Sequence, residues 1–560
     1  MIFKSILPSV DIPGLDLPRF ILAEAKKSVS SPDTVAYYDI GTKESVTFQE
    51  LESMSHQVAS GLANYFNVRH GQVVAIFSAN HVHFATLFLG ILSAGAACCT
   101  LSSSLRESEL AHQVVDSKAS VVFVDAAHLP IVRQALDKGS LRIPAERIVV
   151  IDVDYAGNQF TPLARVLSAR PYQPLHINSK WESARTLAVI IYSSGTTGLP
   201  KGVMLSHRNL IGHLVLQRAT IQYFGSQAEE ATPTLEANTG MSHRSLAVLP
   251  FAHIYGLTVL ITNSIAAGKS QYILNNYSVD GLLAAIQEHK LESALVVPSI
   301  IEQIVKHKRL GAYDLSSLRV IGSGASSLSG NLHAKISKTL PVSLGSGYGM
   351  SETCSAVTLM GPYKLIKDSV GFLYPGIEVK IIDPQTKQCV GYGQEGELCV
   401  RGDTVMLGYL NRAEETRNMI DDDGFLHTGD IGFISESNHV FITDRLKELI
   451  KYKGLQVPPA ELEAVLAEHP LVVDAGVIGI EDAARGTEVP KAYVTLSDAN
   501  ARSRQQMERE LVEWVAARVA PYKQLRGGVE IVDSIARNQS GKIVRSELRA
   551  RHLARHGAKL

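Results

Sequence analysis

The stretch Ser193-Ser194-Gly195-Thr196-Thr197-Gly198-Leu199-Pro200-Lys201-Gly202 decides how the rest of the chain is read. Ahead of it, Thr186-Leu-Ala-Val-Ile-Ile-Tyr192 is an apolar, β-branched run that reads as a buried strand. Behind it, Ser206 is placed to cap a helix whose apolar positions, Leu210, Ile211, Leu214 and Val215, recur at helical spacing. The pattern predicts a loop joining strand to helix. Its three glycines permit positive φ and let backbone N–H groups approach an anion, its four hydroxyls donate hydrogen bonds, and Lys201 adds a positive charge. These are the parts of a phosphate cradle, set against the plainer possibility of a Gly/Ser/Thr-rich surface loop. It is not a Walker A loop, because Pro200 precedes Lys201 and Gly202 follows it.

The flanking sequence supplies the framework for such a loop. Thr47 followed by Glu50 is a capping-box pattern, and Leu51, Met54, Val58, Leu62 and Tyr65 then recur at helical spacing. Val73–Phe77 reads as a buried strand, Phe84–Ala94 as a helix, Ala97–Leu101 as a strand, Glu107–Ser117 as a helix and Ala119–Val124 as a strand. The alternation returns with Leu246–Leu249, a helical stretch over 256–267, a helix over 279–289 and Ser293–Val297. Strands alternating with helices indicate mostly parallel sheets covered on both faces. From about Gly371 the segments shorten, and Val379–Ile382, Gly396–Arg401 and His439–Ile442 are separated by Gly-rich turns, which suggests antiparallel pairing. The expected fold is α/β. A large N-terminal domain of layered α/β sheets covers 1–446 and carries a small β subdomain at about 365–446. It is hinged near Lys447 to a small α+β domain over 447–560, read as helix, strands, helix and strand.

Composition bounds the function. The 560 residues can bury large cores in two or more domains, and a formal net charge of −1 with no basic block argues against a nucleic-acid partner. Five cysteines (98, 99, 354, 389 and 399) form no Cys-x-x-Cys pair, which fits a reducing compartment and argues against a zinc site or a disulfide framework. No secretory signal is visible after Pro8, Asp11 and Pro13. The uncharged run Phe84–Leu105 has borderline length for a membrane span, but glycines and serines interrupt it, so a buried helix running into a buried strand explains it better.

Four more segments carry candidate chemistry. Gly322-Ser-Gly-Ala-Ser326 follows a strand and can floor a flat ligand, or be a tight turn. Gly345-Ser-Gly-Tyr348-Gly-Met-Ser351-Glu352-Thr353 offers a π-face for a base and a carboxylate suited to Mg²⁺, or a loop tyrosine with a solvated glutamate. Thr428-Gly429-Asp430 places a carboxylate on a turn where it can accept hydrogen bonds from a vicinal diol, although most Gly-Asp pairs are simply turns. Ser540-Gly541-Lys542 alone reads as a surface turn.

In this order, and with Asp444-Arg-Leu-Lys-Glu-Leu-Ile-Lys-Tyr-Lys-Gly-Leu-Gln-Val-Pro-Pro-Ala-Glu-Leu-Glu463 and Ser-Gly-Lys-Ile-Val-Arg545, the segments resemble the adenylate-forming superfamily. That superfamily groups acyl-CoA synthetases, luciferases and peptide-synthetase adenylation domains. The 444–463 run is most similar to coumarate–CoA ligases and their fungal aryl- and acyl-CoA ligase relatives, and the likeness covers nearly the whole chain.

The resemblance implies that a carboxylic acid is activated with ATP to an acyl-adenylate, pyrophosphate leaves, and the acyl group passes to the thiol of CoA. By that likeness Ser193, Ser194, Gly195, Thr196, Thr197, Gly198 and Lys201 hold phosphates, while Ser323, Gly324, Ala325, Tyr348 and Gly349 surround adenine. Ser351 contacts the α-phosphate, Glu352 holds Mg²⁺, Asp430 with Arg445 binds ribose, and Lys542 bridges α-phosphate and carboxylate. Rotation about Lys447 withdraws Lys542 and brings Lys451 to the site, with Lys453, Gly454 and Gln456 lining the CoA path. His253 and Tyr255, with Gly324, Ser346, Gly347 and Cys354, are implied to shape the acid pocket; read alone, His253 is a core histidine.

Departures from the family pattern sit on this pocket. Thr353-Cys354-Ser355-Ala356 replaces the Ala-Gly-Pro usual after the glutamate in coumarate users, and Ser326-Ser327 replaces Ala-Pro. Ala536 stands where proline is frequent, and Asn275-Asn276 stands where several relatives carry a CoA-contacting lysine. The expected acid is therefore a medium-sized apolar or aromatic one other than coumarate. The ending Ala558-Lys559-Leu560 resembles a peroxisomal address read by an import receptor, against a frayed basic tail and a cytoplasmic location. A monomer or homodimer is expected. Competing readings are a luciferase-like oxygenase and an enzyme that charges a carrier protein, although no carrier domain follows Lys542.

Overall fold

The computed structural model describes the chain except residues 153, 154, 156, 158, 194–199, 227–243, 326, 327, 329, 361–365, 447, 454, 483, 484, 498–502, 538–540 and 557–560. Two large sheets form the N-terminal body. In one, Val73–Phe77, Ala97–Leu101, Ala119–Val124, Ile148–Val150 and Leu187–Ser193 run parallel, each of the first three a near-continuous apolar run buried on both faces. In the other, Val35–Asp39, Ser270–Ile273, Arg244–Ala247, Ser293–Val296, Val320–Ser323 and Ser343–Ser346 run parallel. The helices Phe48–Asn64 and Phe84–Ser93 pack between them in one continuous core that includes Val58, Leu62, Phe84 and Phe88. The capping box at Thr47 forms as the sequence predicts, with Glu50 N–H on Thr47 Oγ1 at 3.2 Å and Thr47 N–H on Glu50 Oε2 at 2.8 Å. The uncharged run at 84–105 is a fully buried helix followed by the buried strand Ala97–Leu101. Among the described residues no helix is long and apolar enough to cross a membrane.

One sequence expectation needs correction. The opening loop does not lead directly into a helix: Lys201–Ser206 is itself a strand, antiparallel to Leu187–Ser193, with Lys201 opposite Ser193. The residues alternate toward the core through Val203 and Leu205, while Ser206 ends the strand and starts the helix His207–Ser226. Its Oγ accepts Asn209 N–H at 3.1 Å, and the Asn209 side chain accepts Ser206 N–H at 2.8 Å. The strands on either side of the loop thus pair with each other in one sheet.

The β subdomain is a seven-stranded sheet holding the expected segments as Glu378–Ile382, Gly396–Arg401 and Val440–Arg445, with Leu426–Ile434 between the last two. Its edge is the N-terminal strand Ile2–Lys4, paired with 378–380. Beyond 447, the hairpin Val472–Asp482 and Thr487–Leu496 is joined in parallel by Val529–Ile531, and the helices Pro459–Ala467 and Arg504–Ala516 share its core. A third helix, Arg545–His556, absent from the sequence expectation, seats Leu548 in a small second core with Ile478 and Tyr493.

At the junction of the two parts, Arg545 donates to Glu463 at 2.7 Å and to Glu448 at 3.1 Å. Burial pushes both Asp444 and Glu463 up to about 7, against the lowering effect of Arg545.

Candidate active site

The loops after the parallel strands, the β subdomain and the small domain border one cleft of about 2920 Å³. Ligands in open α/β sheets bind off the carboxyl ends of the strands, and the sequence-predicted residues converge there.

Asp430 sits on the strand Leu426–Ile434 immediately after Gly429, whose φ of 70° makes glycine the residue of choice at the turn. The turn is tied down from both sides: Thr428 donates to Leu398 O at 2.7 Å, and Glu397 Oε1 accepts Gly429 N–H at 3.1 Å. Asp430 Oδ1 takes Arg445 Nε at 3.0 Å, its cross-strand neighbour, and Oδ2 takes the Tyr348 hydroxyl at 2.7 Å. Burial and the Asp430 charge keep that phenol protonated, so it remains a donor. A carboxylate has lone pairs beyond these two bonds, so the buried Asp430 can still accept from a diol. Ser323 and Gly324 floor the same space, and among the described residues the buried Ser323 hydroxyl has no hydrogen-bond partner, as befits a ligand-facing group. Ala325 follows at φ 68°, a conformation uncommon for a side-chain-bearing residue.

Glu352 lies in the short 3-10 turn Ser351–Thr353, which Cys354 and Ser355 close with φ of 52° and 79°. Two successive non-glycine residues at positive φ are the kind of strain that a surrounding fold sustains at functional positions. The Glu352 carboxylate is buried, and its Oε1 accepts Tyr409 Oη at 2.8 Å and Ser193 Oγ at 3.2 Å. A carboxylate flanked by hydroxyls is the hard-oxygen donor set that Mg²⁺ takes. Lys201 sits over the Tyr409 ring, 5.1 Å from its centre, and 3.9 Å from Glu415. Tyr409 therefore joins the phosphate hairpin to Glu352. Sequence reading passed over it, because Gly408–Tyr409 is only a two-residue edge strand next to Lys201–Ser206.

Lys542 comes to the cleft from the small domain. Burial and Arg445 hold its ammonium below the usual lysine range, while Asp430, Glu352 and Glu448 act in the opposite sense. Lys542 borders the same cleft as these residues. Its neighbour Gly541 makes the approach possible: φ is 77°, and an added Cβ would lie 3.2 Å from Val297 Cγ2. His253 is half-buried at the cleft and is pushed down to about 4 by burial first and then by Lys542, so it is neutral near pH 7. Its Nδ1 faces Tyr255 N–H at 3.4 Å.

Tyr255 precedes a π-helical stretch, Gly256–Asn263, where sequence predicts an ordinary helix; such wide turns recur at functional sites. The Tyr255 ring lies directly on Gly324, where an added Cβ would come within 2.9 Å of it. Gly322 and Gly345 continue this floor, and Ser346, Gly347 and Ala356 also border the cleft. Gly347 and Gly349 are required for a different reason, since a Cβ would strike the carbonyls of Thr358 and Ser355.

The structure moves one expected pocket residue elsewhere. Cys354 does not border the cleft: the left-handed turn after Glu352 carries its side chain into the main core, fully buried, and Ser355 and Ala356 face the cleft instead. Lys451 and Lys453 are exposed and flank the buried Tyr452 on the hairpin of Ile450–Tyr452 with Leu455–Val457, and Lys451, like Lys542, borders the cleft. Ser194, Gly195, Thr196, Thr197, Gly198, Ser326, Ser327, Lys447, Gly454, the Gln456 side chain, Ser540 and Ala558-Lys559-Leu560 lie outside the described residues. Glu397, Cys399 and His427 bring three ligand-type atoms within 4.8 Å of one another, a grouping that cysteine spacing alone does not reveal. Here Glu397 bonds both His427 and Gly429, so the cluster braces the Asp430 turn.

Comparison with known proteins agrees with this geometry. A model of the AMP-binding enzyme family matches residues 25–410, and one of the AMP-binding enzyme C-terminal domain matches 461–542. Rice (Oryza sativa subsp. japonica) 4-coumarate–CoA ligase 3 is 36% identical over 559 residues, spanning 98% of this chain and 95% of that protein. Luciferin 4-monooxygenase of Photinus pyralis is 34% identical over 531 residues, spanning 94% of this chain and 92% of that protein. In fold, the chain is similar to the anthranilate CoA ligase AuaEII in complex with anthranoyl-AMP, with a TM-score of 0.83, 23% identity, and coverage of 98% of this chain and 99% of that one.

Proposed function

The chain belongs to the AMP-binding enzyme family, and from that premise we propose that it is an AMP-forming acid–CoA ligase whose first half-reaction is organised by Lys542. The observation that carries this reading is that Lys542, from a separate domain, borders the same cleft as Asp430, Arg445 and Glu352.

In the first half-reaction a carboxylate attacks the α-phosphorus of ATP and pyrophosphate leaves. Both reactants are anionic, so alignment and charge neutralisation dominate the barrier. Lys201 and the loop before it hold the leaving phosphates; Asp430 and Arg445 fix the ribose, and Tyr348 with Ser323 and Gly324 fixes adenine. Glu352 and the hydroxyls around it would hold Mg²⁺, which supplies charge neutralisation on the phosphates when bound. The ammonium of Lys542 spans the attacking carboxylate oxygen and the α-phosphate. Neutral His253 and the Tyr255 ring close the acid side and keep water from the adenylate.

In the second half-reaction the CoA thiol attacks the acyl carbon, forming the thioester and releasing AMP. On this reading the small domain turns about the 447 region between the half-reactions, withdrawing Lys542 and bringing Lys451 and Lys453 to the thiol. One face of that domain then serves each half-reaction.

The test is pyrophosphate release over straight-chain, arylacetic and cinnamic acids, each with and without CoA, with the product thioester assayed in parallel. Pyrophosphate release by at least one acid, with thioester only when CoA is added, supports the ligase. Release with none of them, or oxygen uptake in place of thioester, overturns it.

A further inference from the structure

The cleft continues well past His253, along the sheet that floors the acid pocket. Ladder register sets its depth. Gly322 lies beside Leu295 and Gly345, and two residues earlier in each strand the cleft-facing row is Ser245, Ser293, Val320 and Ser343, with Gln271 beside Ser245. From Gly324, beside the adenine floor, back to Val320 is four residues, or about 13 Å at the strand rise. The middle of this passage is apolar, walled by Leu295, Val259 and the two glycines; Gly345 in particular has open space where a side chain would stand.

The far end is polar. Lys269 borders the cavity there, and among the described residues no hydrogen bond or ion pair reaches its ammonium. Burial and then Arg218 hold it below the usual lysine range, with Glu292 opposing them from outside the cavity wall. Arg218 is itself engaged by Glu24 at 2.9 Å. Two buried acceptors, Asn263 Oδ1 and Gln271 Oε1, also lack partners, although their amide nitrogens bond Gln217 and Ser264. A buried polar group without a partner costs about 1–3 kcal/mol, and two such oxygens border the cleft together with Lys269.

We propose that the acid activated here carries an oxygen function, hydroxyl or carboxylate, at the end remote from its reacting carboxylate, held by Lys269 with Gln271 and Asn263. A methyl-ended chain filling the passage would strip water from all three groups and return nothing. A terminal oxygen accepts from Lys269, and a hydroxyl also donates to one of the amide oxygens. This inference rests on the acid-ligase reading above.

The experiment measures pyrophosphate release for saturated acids of matched length ending in methyl, hydroxyl or carboxylate. It compares the wild-type chain with Lys269→Met and Lys269→Arg, and ATP-induced thermal stabilisation of each variant reports folding. The expected result is a kcat/KM at least about tenfold higher for the oxygen-tipped acids at their best length, collapsing in Lys269→Met and retained in Lys269→Arg. Hydroxyl ahead of carboxylate assigns the terminal group to the amide acceptors; carboxylate ahead of hydroxyl assigns it to the ammonium. Equal or better use of methyl-ended acids, or a preference that survives in folded Lys269→Met, overturns the inference and leaves the ligase standing. Failure of every acid in both series overturns the ligase reading and this inference together.

Discussion

Tyr409 gives the sharpest test at the scale of single residues. Its hydroxyl bonds Glu352 Oε1 at 2.8 Å, while its ring carries Lys201 at 5.1 Å. Tyr409→Phe keeps the ring and removes only the bond to the carboxylate. A hydrogen bond to a charged group contributes roughly 1.5–3 kcal/mol, so kcat/KM for pyrophosphate release should fall about 10- to 100-fold, with a higher Mg²⁺ concentration at half-maximal rate. An unchanged Mg²⁺ titration would show that Glu352 is oriented without it. Much of this centre was legible in sequence, because Lys201, Glu352, Asp430 and Arg445 sit in compact motifs. Tyr409 was not, because a Gly-Tyr pair has no local signature and its role arises only where an edge strand meets the phosphate hairpin. Cys354 was misplaced for the converse reason: the positive φ of the turn after Glu352 sends that side chain into the core, which one-dimensional spacing does not encode.

At the scale of elements, the acid passage depends on glycines in two neighbouring strands. Gly345 opens onto the passage with nothing within 4 Å of an added Cβ, so Gly345→Leu places a side chain in the channel without striking the floor. It should lower kcat/KM for the longest accepted acids at least tenfold, a loss of about 1.4 kcal/mol, while short acids and ATP binding change little. A uniform loss over all chain lengths would place the acid elsewhere. The acidic joint predicts a pH effect. Asp444 and Glu463 are each pushed up to about 7 by burial, well above the ordinary carboxylate range of roughly 4. The folded chain therefore binds more protons than the unfolded chain over this interval, and stability falls as pH rises from about 4 to about 7. Asp444→Asn should flatten that slope in thermal unfolding followed from pH 5 to 8, by an amount on the order of 1–3 kcal/mol. An unchanged slope would exclude Asp444 as its source. Neither the joint nor the strand Lys201–Ser206 was readable from sequence: Pro200 and Gly202 punctuate the run, and the joint gathers residues from three separate segments.

At the scale of the whole molecule, the fold class and its order of parts followed from the alternation of strands and helices. The edge strand Ile2–Lys4 did not, since its partner strand lies about two-thirds of the chain away, and pairing at that separation leaves no periodic trace. The docking of the small domain is equally non-local. Gly541 rests against Val297 and Ser299, so Gly541→Val adds both a positive-φ penalty and a contact at 3.2 Å. It should hold Lys542 out of the site and reduce adenylation at least tenfold, with little change in global unfolding temperature. Normal adenylation in that variant would mean that Lys542 reaches the site by another approach.

Assigning the first half-reaction to Lys542 is tested most directly by separating the two half-reactions in Lys542→Ala. Pyrophosphate release from acid and ATP is measured against thioester formation from supplied acyl-adenylate and CoA. The predicted result is a loss of adenylation of at least about a hundredfold, as removal of a transition-state charge contact produces, with thioester formation from the adenylate within a few-fold of wild type. Equal losses in both half-reactions would contradict it.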